Sequence, residues 1–231
     1  MNYKRKFVIG DIHGAYKALK QCFKASGFDY ENDQLICLGD VCDGWPEINK
    51  VFDELLKIKN LIYIIGNHDL WALNWSETGE KPKIWLMQGG QATIDCYPGG
   101  LPEKHKNILK TAKDYYLDRN KLFIHGGFLP DKALKNQDRE IFIWDRSLFQ
   151  SAMYNKDIEQ ETKLTKFDEV YIGHTPIERF GYLIPFKACE IWMMDTGAGW
   201  TGVLSMMNID TKEYFTSERC IDLYPDHPGR F

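Results

Sequence analysis

Gly39-Asp40-Val41-Cys42-Asp43-Gly44 follows directly on the apolar run Leu35-Ile36-Cys37-Leu38. That run reads as a short buried strand, so Asp40 stands where a strand ends and a loop begins. Loops held on a rigid scaffold are where binding and catalytic groups are usually placed. Two neighbouring stretches repeat the design. Phe7-Val8-Ile9 runs into Gly10-Asp11-Ile12-His13-Gly14, and Leu61-Ile62-Tyr63-Ile64-Ile65 runs into Gly66-Asn67-His68-Asp69. Each time glycine lets the backbone turn sharply, and oxygen and nitrogen donors follow. Laid side by side, the three strands would bring these donors to one point.

Helices are expected between the strands. From Ala15 to Ala25, the residues Ala18, Leu19, Cys22 and Phe23 share one face, which is helical spacing, and Ser26-Gly27 ends the run. Pro46 opens a second helix with Ile48, Val51, Phe52, Leu55 and Leu56 as its apolar stripe, and Asn60 closes it. Strand–helix alternation of this kind predicts a parallel sheet covered by helices. Ligands of such sheets bind beyond the carboxyl ends of the strands, where all three motifs fall.

Residues 70–120 read as a mainly helical intervening region, either a cap over the site or an outer layer. Asp69 is placed to cap Leu70-Trp71-Ala72-Leu73, Ser76 to Lys83 reads as loop, and Pro102 opens a helix with Ile108, Leu109, Ala112, Tyr115 and Tyr116 facing inward. The second half reads as strand. Leu122-Phe123-Ile124 ends at His125-Gly126-Gly127, Ile141-Phe142-Ile143 at Trp144-Asp145-Arg146, Val170-Tyr171-Ile172 at Gly173-His174-Thr175, and Ile191 to Met194 at Asp195-Thr196-Gly197. A hairpin over about Val203–Ile209 and Glu213–Thr216 completes the set. The expectation is one α/β domain over residues 1–231, with two mixed sheets and helices outside.

With 231 residues, 44% hydrophobic and 14% aromatic, the chain can bury a substantial core. No apolar window is long enough to span a membrane. After the basic start Met1-Asn2-Tyr3-Lys4-Arg5-Lys6 only Phe7-Val8-Ile9 is apolar, too short for a signal-peptide core. A cytoplasmic location is therefore expected. The net charge of −4 without a basic block argues against general nucleic-acid binding. None of the six cysteines forms a C-x-x-C pair, which argues against a zinc ribbon or a thioredoxin-like site. Cys22 and Cys37 read as core, and Cys42 as a small packing residue.

Four histidines, His13, His68, His125 and His174, stand at strand ends, with Asp11, Asp40, Asp43 and Asn67 in the same position; His105 and His227 fall in a helical surface stretch and the tail. Mixed carboxylate and imidazole donors suit manganese, iron or zinc. There are enough for two ions, and the middle carboxylate, Asp40, is the natural one to share. Two ions about 3.5–4 Å apart would acidify a bridging water and neutralise phosphate oxygens. His68, next to Asn67, could protonate a departing oxygen with Asp43 as its carboxylate partner.

The ordered motifs Gly-Asp-x-His-Gly, Gly-Asp-x-x-Asp, Gly-Asn-His-Asp, His-Gly-Gly and Gly-His-Thr, spread over residues 10 to 199, resemble the calcineurin-like metallophosphoesterase superfamily. Within it the chain is similar to the phosphoprotein-phosphatase branch, which includes bacterial and phage serine/threonine phosphatases and symmetrical diadenosine tetraphosphatases. The resemblance implies a metallophosphatase fold, a four-layer α/β/β/α sandwich. It implies two divalent metal ions, with manganese expected and iron, zinc or nickel as alternatives. Asp11 and His13 would hold the first, Asn67, His125 and His174 the second, and Asp40 would bridge them. His68 would be the general acid, Asp43 its partner, and a metal-bound hydroxide the nucleophile. There is one departure: the family's second motif usually continues with a phosphate-binding arginine, and here Gly44-Trp45 follows Asp43. Arg146 is a candidate replacement, with a surface salt bridge as its other reading. Trp45 and Trp200 read as residues near the mouth that could stack a nucleobase. Tryptophans 71, 75, 85, 144 and 192 read as packing, and Asp195 as part of a structural turn. The expected activity is that of a phosphomonoesterase acting on a phosphorylated protein or small molecule. The alternatives are a dinucleoside polyphosphate or phosphodiester hydrolase and, from another class, an inactive metal-binding interaction module.

Overall fold

The computed structural model describes residues 3–160 and 162–230; Met1, Asn2, Glu161 and Phe231 lie outside it. Strands β1 (Lys6–Ile9), β2 (Gln34–Cys37) and β3 (Asn60–Tyr63) pair in parallel, each short and apolar. Alternate residues of a strand face opposite sides, and both sides here are buried. Phe7, Ile9, Leu35 and Cys37 pack toward helices α1 (Tyr16–Ser26) and α2 (Ile48–Leu55), while Val8 and Ile36 point the other way. The apolar face of α1 is Ala18, Leu19, Cys22 and Phe23, and Gly27 ends the helix in the left-handed conformation at φ 58°. Leu56, expected on the buried stripe of α2, is 44% exposed because the helix has already ended. Asn60, expected as a helix end, is the first residue of β3.

The second sheet is built from β4 (Tyr115–Asp118), β5 (Lys121–Ile124), β6 (Glu169–Ile172), β7 (Phe186–Ala188) and β8 (Ile191–Met193), in the order β4-β5-β6-β8-β7. Strands β9 (Val203–Asn208) and β10 (Tyr214–Arg219) return to the first sheet and complete the order β10-β9-β1-β2-β3. In each sheet three parallel strands sit beside antiparallel partners. The sheets meet through Val8, Ile36, Leu38 and Ile64 on one side and Phe123, Tyr171 and Met194 on the other. The Phe123 and Tyr171 rings stack at 4.6 Å within that layer. The outer face of the second sheet is covered by the helix Ser147–Asp157 through Leu148, Phe149 and Ala152. The architecture is the expected α/β/β/α sandwich of two mixed sheets.

Local readings differ in three further places. Ile141-Phe142-Ile143 belongs to a short helix, Arg139–Trp144, not to a strand. Three apolar residues carry no period, and here they divide between two clusters, Phe142 joining the second-sheet core and Ile143 the first. Tyr115 and Tyr116 lie in β4, which pairs antiparallel with β5 across an Arg119-Asn120 turn, so the helix after Pro102 stops at Lys110. The helix after Gly66, α3 (Asn67–Thr78), runs through Ser76 and ends only where Gly79 turns at φ 78°. Beyond it, short helical segments over residues 83–96 pass beside the carboxyl end of β2 and place Trp85 and Thr93 against Asp43.

Candidate active site

The carboxyl ends of five strands deliver the donors to one place. Asp11 and His13 follow β1, Asp40 and Asp43 follow β2, His125 follows β5 and His174 follows β6, while Asn67 and His68 form the first turn of α3 after β3. All eight are buried, none more than 6% exposed. Two groups can each hold a cation: Asp11, His13 and Asp40, and Asp40, His125 and His174, with donor atoms inside 4.8 Å of one another in each. Asp40 belongs to both. Asn67 joins the second group, its Oδ1 lying 3.1 Å from His125 Nε2.

The rings are set to bind metal. His13 Nδ1 lies 2.9 Å from the Cys42 carbonyl, and His125 Nδ1 lies 2.7 Å from the Leu38 carbonyl. A carbonyl can only accept, so each Nδ1 carries a proton, and Nε2 is the ring atom turned to the centre. His174 Nε2 is buried with no hydrogen-bond partner among the described residues. A buried polar atom of this kind calls for a ligand. The charges agree. Burial and the Asp195 charge push Asp11 well above the usual carboxylate range, as expected of a carboxylate crowded by like charge that a cation would relieve. Burial works against ionising Asp40 as well, but His125, His68 and His13 hold it well below that range. His125 is pushed up to about 10: burial opposes this, and Asp40, 3.3 Å away, overcomes it.

The backbone is bent sharply to achieve this. His13 (φ 49°), Asp40 (φ 48°), Asp43 (φ 70°) and His174 (φ 65°) all adopt positive φ, an uncommon conformation for residues other than glycine. Strain of this sort persists only where surroundings over-determine it. At Gly66 and Gly173 a Cβ would run into the carboxylates of Asp40 and Asp11 respectively. Glycine there lets one strand end lie directly against the carboxylate of the next. Asp69, expected as a helix cap, does more. Its carboxylate accepts the N–H groups of Asp40 (2.9 Å), Val41 (2.9 Å), Cys42 (3.1 Å) and Gly66 (3.2 Å) and the Tyr63 hydroxyl (2.9 Å). It thereby fixes the loop that carries Asp40. Burial and the Asp40 charge push Asp69 up to about 6, while these hydrogen bonds pull it down.

His68 Nδ1 lies 2.5 Å from Asp43 Oδ2, and the His68 N–H donates to Asp40 Oδ1 at 2.9 Å. Asp43 is itself held by Trp85 Nε1 (2.8 Å) and the Thr93 hydroxyl (2.5 Å), so the segment 83–96 orients the pair. Beside it opens a cavity of about 190 Å³ whose lining includes Asp40, His68, Trp71, Trp144, Arg146 and Arg230.

The tryptophans are distributed differently from expectation. Trp45 is fully buried, stacked on Tyr224 at 5.2 Å and donating to the Ala198 carbonyl, so it is core and not mouth. Trp71 and Trp144, expected as packing, line the cavity with rings 5.0 Å apart. Trp200 lies at an adjoining cavity of about 280 Å³, together with Arg146, Arg179 and Arg230. His105, expected at the surface, is 1% exposed and bonded to Tyr97 and Asp53. Arg146 sits between two helices and not at a strand end. It lines the cavity, and no ion pair involving it is formed among the described residues. Asp195, also buried, accepts the Gly197 N–H at 3.0 Å, as expected of a turn residue. Arg230 is the functional candidate that reading the sequence missed: it stands far from every motif, and no local pattern marks it.

A double-sheet sandwich with two carboxylate–imidazole clusters sharing one aspartate, beside a buried histidine–aspartate pair, is the arrangement a dinuclear metal hydrolase requires. Residues 5–198 match the calcineurin-like phosphoesterase family, and the chain belongs to that family. It is 24% identical over 216 residues to serine/threonine-protein phosphatase 1 of Salmonella typhimurium, covering 90% of this chain and 93% of that protein. It is 31% identical over 269 residues to the symmetrical bis(5'-nucleosyl)-tetraphosphatase of Coxiella burnetii, covering 94% and 92%. The crystal structure of a metallophosphoesterase from Sphaerobacter thermophilus shares the fold, with a TM-score of 0.61 at 15% identity over 95% of this chain and 90% of that one. The family assignment makes the protein a phosphoesterase hydrolase, and its family uses a dinuclear divalent metal centre. No helix among the described residues is long and apolar enough to cross a membrane.

Proposed function

We propose that the chain is a single-domain, manganese-dependent phosphomonoesterase of the cytoplasm, acting on a phosphorylated protein or small molecule. The observation that carries this reading is the pair of donor clusters sharing Asp40, with the His68–Asp43 pair beside them. Asp11 and His13 would hold one ion, Asn67, His125 and His174 the other, and Asp40 both. Iron, zinc or nickel would suit the same donors. Two divalent ions held there would supply Lewis-acid charge to a phosphate ester and an activated water. His68 holds the proton that the departing oxygen needs. Asp43 fixes its ring, and Trp85 and Thr93 keep Asp43 in place. Trp71 and Trp144 exclude water from one wall, and Arg146 presents a guanidinium to phosphate oxygens. Helices over about residues 70–120 act as a wall of the site. Retention of the whole donor set together with the acid pair supports an enzyme over an inactive binding module.

A second reading, hydrolysis of a dinucleoside polyphosphate or a phosphodiester, is favoured by one observation. The adjoining cavity holds Arg146, Arg179 and Arg230 around Trp200, a place for further phosphates and a base. The test is hydrolysis of nitrophenyl phosphate, bis-nitrophenyl phosphate and diadenosine tetraphosphate side by side, with manganese and with a chelator. Faster, chelator-sensitive monoester cleavage is expected. Dominant cleavage of the dinucleotide or the diester would transfer the assignment to the second reading.

A further inference from the structure

The guanidinium of Arg230 has an unusual setting. The residue is 8% exposed, yet its hydrogen-bond partners are all uncharged: Gln88 O (3.2 Å), Gln88 Oε1 (2.7 Å) and His13 Nε2 (3.1 Å). Among the described residues no carboxylate lies within ion-pair distance of it. A buried cation is costly unless an anion compensates it. The path of the side chain is equally specific. A Cβ on Gly44 or on Gly89 would come within 3.1 Å of Arg230 Cγ, and one on Gly199 within 2.8 Å of Cδ. Three glycines from three separate segments therefore form the channel, and the Trp200 ring closes it with its centroid 4.8 Å from the guanidinium carbon. An arginine that only met solvent would need no such channel. The channel opens into the cavity lined by Asp40, Asn67 and His68, and Arg146 lines the same cavity.

We propose that Arg230 binds the phosphoryl group of the substrate, reaching the site from the far end of the chain. Glycine at 44 is required by its φ of 90°, and the room it leaves is taken by this side chain and by His13. The carboxylates of Asp40, Asp43, Asp195 and Asp11 act on it only from beyond ion-pair distance, and a phosphate in the cavity would be met directly by the planar fork of the guanidinium, which suits two phosphate oxygens at once. The proposal rests on the phosphoesterase reading above and adds a substrate-binding residue that lies outside residues 5–198.

The test is calorimetric binding of inorganic phosphate to the manganese-loaded full chain, run beside hydrolysis of nitrophenyl phosphate. Arg230→Ala is expected to weaken phosphate binding about 10- to 100-fold and to raise KM more than it lowers kcat, with metal content unchanged. Arg230→Lys keeps the charge without the fork and is expected to recover part of the loss. Equal phosphate affinity in Arg230→Ala and the unaltered chain would overturn the proposal. So would a variant that loses metal but regains normal phosphate affinity once metal is saturating, because Arg230 would then merely support His13. Should Arg230→Ala fail to fold, Arg230→Gln and Arg230→Lys carry the same comparison, and unchanged affinity in both overturns it. The two readings fail separately. Absence of hydrolysis by the unaltered chain sinks the phosphoesterase reading, whereas unchanged phosphate affinity in the variants sinks this one.

Discussion

Replacing Asp43 by asparagine removes one charge and almost no volume. Oδ2 accepts from His68 Nδ1 at 2.5 Å and from Trp85 Nε1 at 2.8 Å, and Oδ1 accepts the Thr93 hydroxyl at 2.5 Å. Two donors on one side and a hydroxyl on the other fix the orientation of the new amide. Its carbonyl must face His68 and Trp85, and its NH₂ must face Thr93 Oγ1, which can turn to accept. The Thr93 hydroxyl, on a residue 0% exposed, then loses the acceptor it donated to, so the folding stability should fall by about 1–3 kcal/mol. What is lost is the charge in a bond between two groups of which neither is more than 3% exposed. Hydrogen bonds to charged groups are worth about 1.5–3 kcal/mol and neutral ones about 1 kcal/mol. The difference of about 1–2 kcal/mol corresponds to roughly 5- to 30-fold in rate. The loss should fall on the step in which His68 gives up its proton, and so on substrates whose leaving oxygen needs one. The assay is kcat at saturating manganese over a series from nitrophenyl phosphate to an alkyl phosphate. The expected losses are under about 3-fold for the first and about 5- to 30-fold for the last. Unchanged turnover of the alkyl phosphate, or an equal loss across the series, would show that His68 does not depend on Asp43 in this step.

Other substitutions separate chemistry from architecture. His68→Asn should keep both metals yet lose about 10²- to 10⁴-fold on alkyl phosphates, and full activity there would remove His68 from its role. Asp69→Ala deprives four backbone N–H groups of their acceptor. At about 1–3 kcal/mol each, partly offset by relief of a buried charge, the net cost is about 3 kcal/mol, or roughly 6–12 °C in melting temperature. An unshifted melting curve would show that the Asp40 loop does not depend on Asp69. Glu54, 2% exposed, accepts from Lys20, from Lys57 at 2.6 Å and from the Tyr30 hydroxyl at 2.5 Å. Burial opposes these bonds, which nonetheless hold its carboxyl down at about 2 against an ordinary 4.5. A depressed folded-state value makes the contribution complete above pH 4.5 and lost as pH falls toward 2. The gap is worth at most about 3 kcal/mol, reduced to about 1–2 kcal/mol because both lysines are largely solvated. Urea unfolding of Glu54→Gln should show that deficit at pH 7 and a shrinking one below pH 4.5; a deficit independent of pH would contradict the assignment.

The donor-bearing strand ends were legible because each is local. A few apolar residues, a glycine and then an aspartate or asparagine state both the strand and its chemistry, as at Asp11, Asp40 and Asn67. Their meeting point followed from strand–helix alternation, since parallel strands point their carboxyl ends one way. Residues 141–143 were misread because three apolar residues have no period to distinguish helix from strand. Tyr115 and Tyr116 continue, in sequence, a helical stripe that Thr111 ends. The roles of Asp69 and Arg230 are tertiary. One gathers amides from the preceding loop, and the other depends on a channel between three distant glycines. The tryptophans show the same limit. Trp45 follows Gly44 in the central motif yet turns into the core, whereas Trp71 and Trp144 reach the cavity from elements that the sequence places far apart.

The proposed chemistry needs two ions sharing Asp40. The direct measurement is a manganese titration of chelator-treated protein, counting bound metal per chain by elemental analysis and following nitrophenyl phosphate hydrolysis at each step, for the unaltered chain and Asp40→Asn. Hydrolysis should rise until two ions are bound per chain, and Asp40→Asn should lose both metal and hydrolysis. Full hydrolysis at one ion per chain, or an Asp40→Asn protein that keeps two ions, would contradict that chemistry.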